Sequence, residues 1–386
     1  MNANAATAPR LLVDCTFMLA GHHYTGIQRH VRRTLRHARR LWGPARTGAL
    51  TATHGQWHEL TVLPAHPLEE LGALPLSPSA PAMPAQLTSH THVLLADRFW
   101  HTGEWDALDT LLRSPAKICA VVYDLLSVRN PHWFAPGVGE RFARYLRLVL
   151  PRANSVVCLS RTAAADLTHW ADAQGLHLPR PRIVAPGHEV WLGAPTAPHA
   201  LPASWRDGSI PFVLQVGTLE PRKNHALTLA ALREVWAGGN PLGCLFIGQR
   251  GWLMDGFTDE LRRLPQWQRE LLWLAECTDA QLDWCYRHAA AVLYPSAGEG
   301  YGLPLAEAAS TGARVIASDT AVHREVVARL GNRGAFVQLC QPEPHAMANA
   351  LVRSTSRPDT GPASIRGWAQ ATQELLSAMG LDAQTV

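Results

Sequence analysis

Several signatures of common enzyme classes are missing from this chain of 386 residues. It has no Gly-x-Ser-x-Gly string, which excludes the nucleophile turn of α/β-hydrolases, and no Walker A string, which excludes a P-loop. Its seven cysteines include no Cys-x-x-Cys pair, so they do not indicate a zinc or dithiol site. No apolar run is long enough to cross a bilayer as a helix, and the short polar start does not read as a signal peptide. We therefore expect reduced cysteines and a cytoplasmic protein.

Net charge is also small. The 35 basic and 31 acidic residues leave a formal charge of +4, which is too balanced to indicate nucleic acid as a partner. Charged residues make up only 17% of the chain and hydrophobic residues 47%, so a large buried core is expected. At this length the core is expected to divide between two domains.

Strand-like and helix-like runs alternate along the chain, which predicts an α/β fold with parallel sheets flanked by helices. The predicted strands are 11–16, 49–53, 92–96, 118–123, 156–159, 182–184, 212–216, 243–247, 270–274, 290–294, 314–317 and 335–338. In the first half, helices are predicted at 26–41, 138–150 and 162–174. A stretch rich in proline and glycine, 186–211, predicts a linker. The predicted domains are therefore 10–190 and 205–362, followed by a helix at 363–380.

The most informative stretch is YPSAGEGYGLPLAEAASTG at 294–312, in which seven residues separate Glu299 from Glu307. The apolar run before it predicts a buried strand, and Gly302 predicts a loop, because glycine adopts positive φ without penalty. Pro304 is typical of the first turn of a helix. A helix N-terminus presents unpaired N–H groups and partial positive charge, which suit a phosphate. The two carboxylates can accept hydrogen bonds from sugar hydroxyls.

A second stretch, FVLQVG at 212–217, predicts another buried strand and is followed by TLEPRKN and a helix-like run. Here Arg222 and Lys223 are adjacent cations between a strand and a helix, an arrangement that suits a diphosphate. The alternative is an ordinary solvated turn. The glutamate stretch downstream favours the phosphate interpretation.

Together these stretches resemble the signature of retaining glycosyltransferases of family 4, which have the GT-B fold. The resemblance covers most of the chain and is sharper in its second half. It implies two doubly wound, Rossmann-like domains that face each other across a cleft, with the acceptor side in the first domain and the nucleotide sugar in the second. It also implies that the C-terminal helix crosses back to the first domain.

The resemblance also implies residue roles. Glu299 contacts the donor sugar, Glu307 contacts the ribose, and the two cations stabilise the leaving diphosphate, so Arg222, Lys223 and Glu299 are the candidate catalytic residues. Many members carry an arginine where this chain has Thr218. The implied donor-binding residues are Gly217, Thr218, Arg222, Lys223, Glu299, Gly300, Tyr301, Gly302, Leu303 and Glu307. The family implies no cofactor, and the chain lacks Asp-x-Asp, so no metal is expected.

In the first half, the loop AGHHYTGIQR at 20–29 precedes a helix that Thr25 could cap. The resemblance implies that this loop, with Gly26, faces the cleft; a purely structural turn is the alternative. Asp124 follows another strand and either orients the acceptor hydroxyl or caps the next turn. Many relatives have a histidine before this aspartate, where this chain has Tyr123. The candidate substitutes are His132, His22 and His23.

The helix that follows this loop carries a run of basic residues between Arg29 and Arg40. Its apolar residues fall on one face, which predicts packing on the sheet with the arginines in solvent. Peripheral contact with anionic lipid at the inner membrane is the alternative role for the basic face.

These observations predict a retaining transferase that moves a hexose from a nucleotide-diphosphate sugar to a glycan or lipid-linked acceptor. GDP-mannose is the leading candidate donor, and bacterial surface polysaccharide synthesis is the setting that the resemblance implies. Three alternatives stay open: a phosphorylase, a sugar-nucleotide epimerase, and a catalytically silent subunit that binds a partner.

Overall fold

The fold comes from a computed structural model that describes residues 8–21, 25–66, 68, 73–75, 83–190, 193–353 and 366–381. The chain divides into two compact units. Unit 1 comprises the described parts of Met1–Arg129, Gly137–Gly187 and Arg366–Val386, and unit 2 those of Asn130–Pro136 and His188–Ile365. In the described residues, no helix combines the length and apolar character needed to span a membrane.

Unit 1 is built on an eight-stranded sheet in the order β10-β9-β8-β7-β1-β2-β3-β6, while β4 and β5 form a separate pair. Its strands are β1 (Arg10–Asp14), β2 (Thr47–Thr53), β3 (Gln56–Glu59), β4 (Val62–Leu63), β5 (Leu74–Pro75), β6 (Met83–Pro84), β7 (Thr91–Leu95), β8 (Lys117–Val122), β9 (Ser155–Cys158) and β10 (Arg182–Ile183). Its helices before residue 187 are α1 (Thr16–Gly21), α2 (Gly26–Trp42), α3 (Trp105–Arg113), α4 (Leu126–Arg129), α5 (Val138–Val149) and α6 (Arg161–Ala173).

Unit 2 has a six-stranded sheet in the order β13-β12-β11-β14-β15-β16, and every pairing in it is parallel. Its strands are β11 (Phe212–Val216), β12 (Gly243–Ile247), β13 (Leu271–Leu274), β14 (Ala291–Tyr294), β15 (Val315–Ser318) and β16 (Val337–Cys340). Its helices are α7 (Ala203–Arg206), α8 (His225–Ala237), α9 (Asp255–Arg263), α10 (Asp279–His288), α11 (Leu303–Ser310), α12 (Ala321–Arg329) and α13 (Pro344–Val352).

Burial explains why the central strands were readable from sequence. Strand β12 is buried at every position and β11 at all but its last, as expected for parallel strands covered on both faces by helices. Val213 of β11 and Cys244 and Phe246 of β12 belong to the core of unit 2. The sequence predicted both strands with the bounds that the structure has.

The last helix, α14 (Trp368–Ala378), belongs to unit 1, where it packs against α2. Trp368 is fully buried there, and a Cβ at Gly187 would lie only 2.6 Å from the Trp368 backbone nitrogen. Trp368 therefore needs a glycine at position 187.

Candidate functional site

In unit 2, β11 and β14 are neighbouring parallel strands, although β12 and β13 intervene in the sequence. The chain runs outward from β11 to β12 on one side of the sheet and then returns to β14 on the other. Ligands of such sheets bind outside the carboxyl ends of the strands at this reversal point. The loops 217–224 and 295–302 leave β11 and β14 at that edge, and they carry both of the stretches that the sequence singled out.

The first of these loops is held close to its own strand. Gly217 has a φ of +149°, and a Cβ there would lie 3.3 Å from two carbons of the Lys223 side chain. The amide of Gln215 donates to the carbonyl of Lys223 over 2.8 Å. Glycine at position 217 and glutamine at 215 therefore fix the turn that directs Lys223 into the sheet edge.

A buried cluster of opposite charges joins the two loops. Lys223 Nζ donates to Glu299 Oε1 over 2.6 Å, and Arg222 Nη1 donates to Glu299 Oε2 over 2.8 Å. Arg222 Nη1 also lies 3.2 Å from the Gly298 carbonyl, and its Nη2 lies 2.7 Å from Glu220 Oε1. Two cations and two carboxylates thus form a cluster of zero net charge, in which Glu299 bridges both cations.

Electrostatics keep Glu299 ionised. Burial by itself would raise the pKa of Glu299, but Arg222 and Lys223 outweigh burial and hold that pKa well below its ordinary value. Burial lowers the pKa of Lys223, and Glu299 opposes this effect. Glu299 is therefore a carboxylate that can accept hydrogen bonds at neutral pH.

The second loop ends at the N-terminus of α11. Gly302 is the residue before the helix, with a φ of +98°, and a Cβ there would lie 3.3 Å from the Tyr294 ring and 3.6 Å from the His323 ring. Leu303 and Pro304 form the first turn of α11, as the sequence predicted for Pro304. The positive φ favours glycine here, and the close Tyr294 ring adds a steric reason for it.

Tyr301 does not face solvent. It is buried, and its hydroxyl lies 2.7 Å from His188 Nε2. This contact anchors the loop between Gly300 and Gly302 through the Tyr301 side chain. Binding of a ligand by the backbone amides of this loop stays a prediction.

Glu307 lies one turn into α11 and is almost fully buried. Its Oε2 accepts a hydrogen bond from the Tyr286 hydroxyl over 3.0 Å. Glu299 and Glu307 therefore have different surroundings: the first is held by cations, the second by a phenol. That the two bind one ligand stays a prediction.

In unit 1, the predicted site residues Gly26 and Asp124 lie at the start of α2 and just after β8. Gly26 is the first residue of α2 and is exposed, and Thr25 precedes the helix with its N–H 3.2 Å from Gln28 Oε1. Asp124 Oδ1 accepts from the Leu126 N–H over 2.9 Å, which is the capping role weighed as an alternative. Any part of Gly26 and Asp124 in binding an acceptor stays a prediction.

Tyr123 occupies the position at which the family resemblance implied a histidine. Tyr123 donates to the Ala96 carbonyl over 2.8 Å, and its hydroxyl also lies 2.9 Å from His30 Nδ1. Of the candidate substitutes, His132 is exposed and is grouped with unit 2, while His22 and His23 lie outside the described residues.

For three arginines of α2 the structure corrects the prediction that they lie in solvent, whereas Arg40 is exposed as predicted. Arg32, Arg33 and Arg36 are all buried, at 3%, 4% and 8% exposure. The helix contacts both β2 and α14, so it is covered on two sides rather than one. The sequence pattern alone could not show the second cover, because α14 lies more than 300 residues away along the chain.

Sequence reasoning missed four residues that shape the site of unit 2. Tyr294 and His323 line Gly302, Tyr286 holds Glu307, and Glu220 pairs with Arg222. Only Glu220 had a local signal, since an acidic residue two positions before Arg222 can fold back onto it. Tyr294 ends the strand before the second loop, whereas Tyr286 and His323 come from the neighbouring helices α10 and α12.

Comparison with known families supports this description of unit 2. Residues 203–355 match the family model for "Glycosyl transferases group 1". This segment includes both charged loops and the whole sheet of unit 2.

Curated relatives are similar over a larger part of the chain. The serotype-specific mannosyltransferase WbdA of Escherichia coli is 30% identical over 334 residues, which is 82% of this chain and 40% of the relative. An O-antigen chain mannosyltransferase B of Escherichia coli is 34% identical over 123 residues, or 31% of this chain and 32% of the relative. The matched segments thus cover 40% of the first relative and 32% of the second.

Solved structures are similar in fold across nearly the whole chain. HepE of Anabaena, in complex with UDP and glucose, gives a TM-score of 0.59 at 13% identity, covering 98% of this chain and 96% of HepE. Sucrose-phosphate synthase of Thermosynechococcus elongatus gives 0.58 at 17% identity, covering 96% and 94%. With the two parallel-dominated sheets, this likeness confirms the GT-B fold class that the sequence predicted.

Proposed function

We propose, from the premise that residues 203–355 are a domain of the glycosyl transferases group 1 family, that this protein is a retaining hexosyltransferase. It takes a hexose from a nucleotide-diphosphate sugar and adds it to a glycan or lipid-linked saccharide. The observation that carries the proposal is the cluster of Arg222, Lys223 and Glu299, which joins two loops at the reversal point of the unit 2 sheet.

The cations supply the main electrostatic contribution. Breaking the bond between sugar and phosphate places negative charge on the leaving diphosphate, and fixed positive groups there stabilise the transition state more than the ground state. Lys223 is almost fully buried and is held by Tyr294 and Glu299, so its charge needs little reorganisation during the reaction. The N–H groups at the start of α11 add partial positive charge from the other loop.

The glutamates position the donor. Glu299 is ionised and accepts hydrogen bonds from sugar hydroxyls, and Glu307, held by Tyr286, accepts them from the ribose. Neither acts as a nucleophile in this proposal. The leaving phosphate itself assists deprotonation of the acceptor on the same face of the sugar, which retains the anomeric configuration.

The reaction as proposed needs no metal ion, because Arg222 and Lys223 would supply the positive charge that a metal ion supplies to a diphosphate in other enzymes. The donor proposed first is GDP-mannose, and the setting is bacterial surface polysaccharide synthesis. The names of the Escherichia coli relatives, a serotype-specific mannosyltransferase and an O-antigen chain mannosyltransferase, support mannose as the sugar and a surface polysaccharide as the setting.

A cytoplasmic location is supported by the cysteines. All seven are free, and five of them are buried, as expected for a protein of a reducing compartment. Membrane contact through α2 is left out of the proposal, since Arg32, Arg33 and Arg36 are buried.

The test is a transfer assay with GDP-mannose, UDP-glucose and ADP-glucose, using mannose oligosaccharides as acceptors and chelator in half of the samples. We expect transfer from GDP-mannose and not from the other two donors, at a rate that chelator does not change. NMR of the anomeric position should show an axial (α) mannosidic bond in the product. Glu299→Ala should abolish transfer while the protein stays folded. Release of free sugar phosphate in phosphate buffer, or conversion of the donor without an acceptor, would instead indicate a phosphorylase or an epimerase.

A further inference from the structure

An aromatic patch lies on unit 2, outside the charged cluster. It consists of Trp133, Phe134, Trp252 and Leu253. The three aromatic side chains are half-buried, and Leu253, at 59% exposure, is the most exposed large apolar side chain among the described residues. No step proposed above uses any of these side chains.

The patch is rigidly built. Trp252 Nε1 donates to the Trp133 carbonyl over 2.7 Å, and the rings of Trp252 and Phe134 stack with centroids 5.9 Å apart and planes 26° apart. The indole N–H is thereby satisfied, and the ring orientation is fixed. Trp133 and Phe134 belong to the segment Asn130–Pro136, which is grouped with unit 2.

Leu253 has a backbone conformation that is unfavourable for a leucine. Its φ is +58°, a left-handed conformation that is rare for a large side chain without a small or amide group. Such outliers persist where the surrounding structure requires them, and they concentrate at binding sites. Leu253 is exposed in this conformation, so its side chain is accessible to a ligand.

The patch is continuous with the loop that carries the cations. Gly251 N–H donates to the Leu219 carbonyl over 2.9 Å, and Leu219 N–H donates to the Gln249 carbonyl over the same distance. A Cβ at Gly251 would lie 2.6 Å from the Leu219 oxygen, so this approach requires glycine. Trp252 therefore directly follows a residue, Gly251, that is hydrogen-bonded to the loop carrying Arg222.

We propose that the aromatic patch is a subsite for a neutral saccharide, namely sugar residues of the acceptor glycan beyond the one that receives the transferred hexose. Pyranose rings present a face of C–H groups that packs on aromatic side chains, while their hydroxyls seek polar partners at the ring edge. This inference rests on the proposed function, since it assigns the ligand to the acceptor of that reaction.

Neighbouring polar groups favour a neutral saccharide over an anionic surface. Arg250 is paired with Asp255, and Gln249 Nε2 lies 3.3 Å from Glu276 Oε1. The charges beside the patch are therefore balanced or acidic, whereas an anionic lipid surface attracts clusters of unpaired cations. Paired carboxylates and amides are suitable partners for sugar hydroxyls.

The experiment is binding of the full chain to an array of neutral oligosaccharides of mannose, glucose, galactose and rhamnose, two to six units long. Wild type is compared with Trp252→Ala and Phe134→Ala. The matched control is Trp170→Ala, which removes a half-buried tryptophan from α6 of unit 1. Leu253→Asn, which tolerates the left-handed conformation, guards against misfolding of the tryptophan variant.

We expect wild type and Trp170→Ala to retain at least one oligosaccharide class, and Trp252→Ala to bind it about tenfold or more weakly, as for a buried aromatic anchor. Equal retention by Trp252→Ala and wild type, or no retention by wild type, overturns the inference. Binding to phosphatidylglycerol vesicles that is lost in Trp252→Ala would assign the patch to a lipid and would also overturn it.

A parallel thermal-shift measurement with GDP, UDP and ADP separates this inference from the proposed function. Trp252→Ala should keep the nucleotide-induced rise in Tm that wild type shows, because the patch is not in the charged cluster. If wild type shows no rise with any nucleotide but binds a saccharide through Trp252, the proposed function fails and the saccharide site stands.

Discussion

Lys223 Nζ lies 2.6 Å from Glu299 Oε1 in the buried edge of unit 2, although 76 residues separate them in sequence. A phosphate that binds Lys223 must share this cation with the carboxylate or displace it. Glu299, which is proposed to accept hydrogen bonds from the donor sugar, therefore also competes with a bound phosphate for the two cations. It has two roles: it keeps the cations oriented, and it opposes a second anion.

The Glu299→Gln variant separates these roles. An amide of the same size removes the negative charge but can still accept one hydrogen bond from a cation. We expect GDP affinity to be equal to that of wild type or higher, and transfer to fall by about a hundredfold, because the donor sugar loses its positioning group. Calorimetric titration and initial rates measure the two effects. A tenfold loss of GDP affinity would show that Glu299 is needed for nucleotide binding itself.

Glu220 is predicted to position Arg222. Glu220 is 2% exposed and lies 2.7 Å from Arg222 Nη2, so Glu220→Ala leaves the half-buried Arg222 with Glu299 as its remaining carboxylate partner. We expect the free energy of unfolding to fall by about 3 kcal/mol, and kcat to fall more than donor affinity. Chemical denaturation and kinetics measure both.

The comparison variant for Glu220 is Asp319→Ala, which breaks a more exposed ion pair with Arg324. It should change stability little, since exposed pairs contribute little. Equal effects of the two substitutions would contradict a positioning role for Glu220.

Gly302→Ala tests the conformation at the start of α11. The φ of +98° and the Tyr294 ring at 3.3 Å from an added Cβ predict a loss of about 1–3 kcal/mol of unfolding free energy, with weaker nucleotide binding. Gly256→Ala is the matched control, because that glycine lies within α9 with nothing near an added Cβ. It should be neutral or stabilising by about 0.5–1 kcal/mol. A Gly302→Ala variant as stable as wild type would contradict the account.

Acid sensitivity of unit 2 should arise partly from His225. This histidine is fully buried against Phe246 and Phe257, and burial, followed by the charge of Lys223, lowers its pKa from 6.5 to about 3. The folded state then binds fewer protons than the unfolded state below pH 6.5, so stability falls as pH falls from 6.5 towards 3. At pH 5 the loss from this group is about 2 kcal/mol.

His225→Phe should remove that part of the acid sensitivity while it keeps an aromatic ring. Urea unfolding at pH 7 and pH 5 gives the difference between variant and wild type. His30 in unit 1, whose pKa burial lowers to about 4, provides a second contribution that the His225 variant should leave unchanged. An identical pH dependence in variant and wild type would contradict the role of His225.

Local signals account for what the sequence could predict. Most strands of unit 2 are apolar on both faces, so their positions follow from composition, whereas β16 is half-buried and lies two residues later than the predicted 335–338. Gly302 and Pro304 determine the start of α11 within a few residues. Predicted strands in unit 1 are shifted by one or two residues, as at β1, where 11–16 was expected and the chain turns into α1 at Thr16. The strands β3 to β6 were not predicted, because they are only two to four residues long and show little alternation of apolar and polar residues. Helix α3, nine residues long, was also not predicted.

Long-range packing accounts for what the sequence could not predict. Lys223 and Glu299 were both proposed as donor ligands, but their direct pairing depends on the register of β11 against β14. Tyr286 reaches Glu307 from α10, and α2 packs against α14, more than 300 residues away along the chain. In each case the partner comes from another element, and no periodic pattern near the residue indicates it.

The most direct test of nucleotide-sugar binding uses the only two lysines of the chain, Lys117 and Lys223. Lys223→Met removes the buried charge but keeps an apolar stem, and Lys117→Met removes an exposed charge from the start of β8 in unit 1. Wild type and both variants are screened by thermal shift with GDP, UDP, ADP, TDP and CMP at millimolar concentrations. We expect one nucleoside diphosphate to raise the Tm of wild type and of Lys117→Met, and this rise to be lost or strongly reduced in Lys223→Met. No rise with any nucleotide in wild type, or an equal rise in all three proteins, would contradict it.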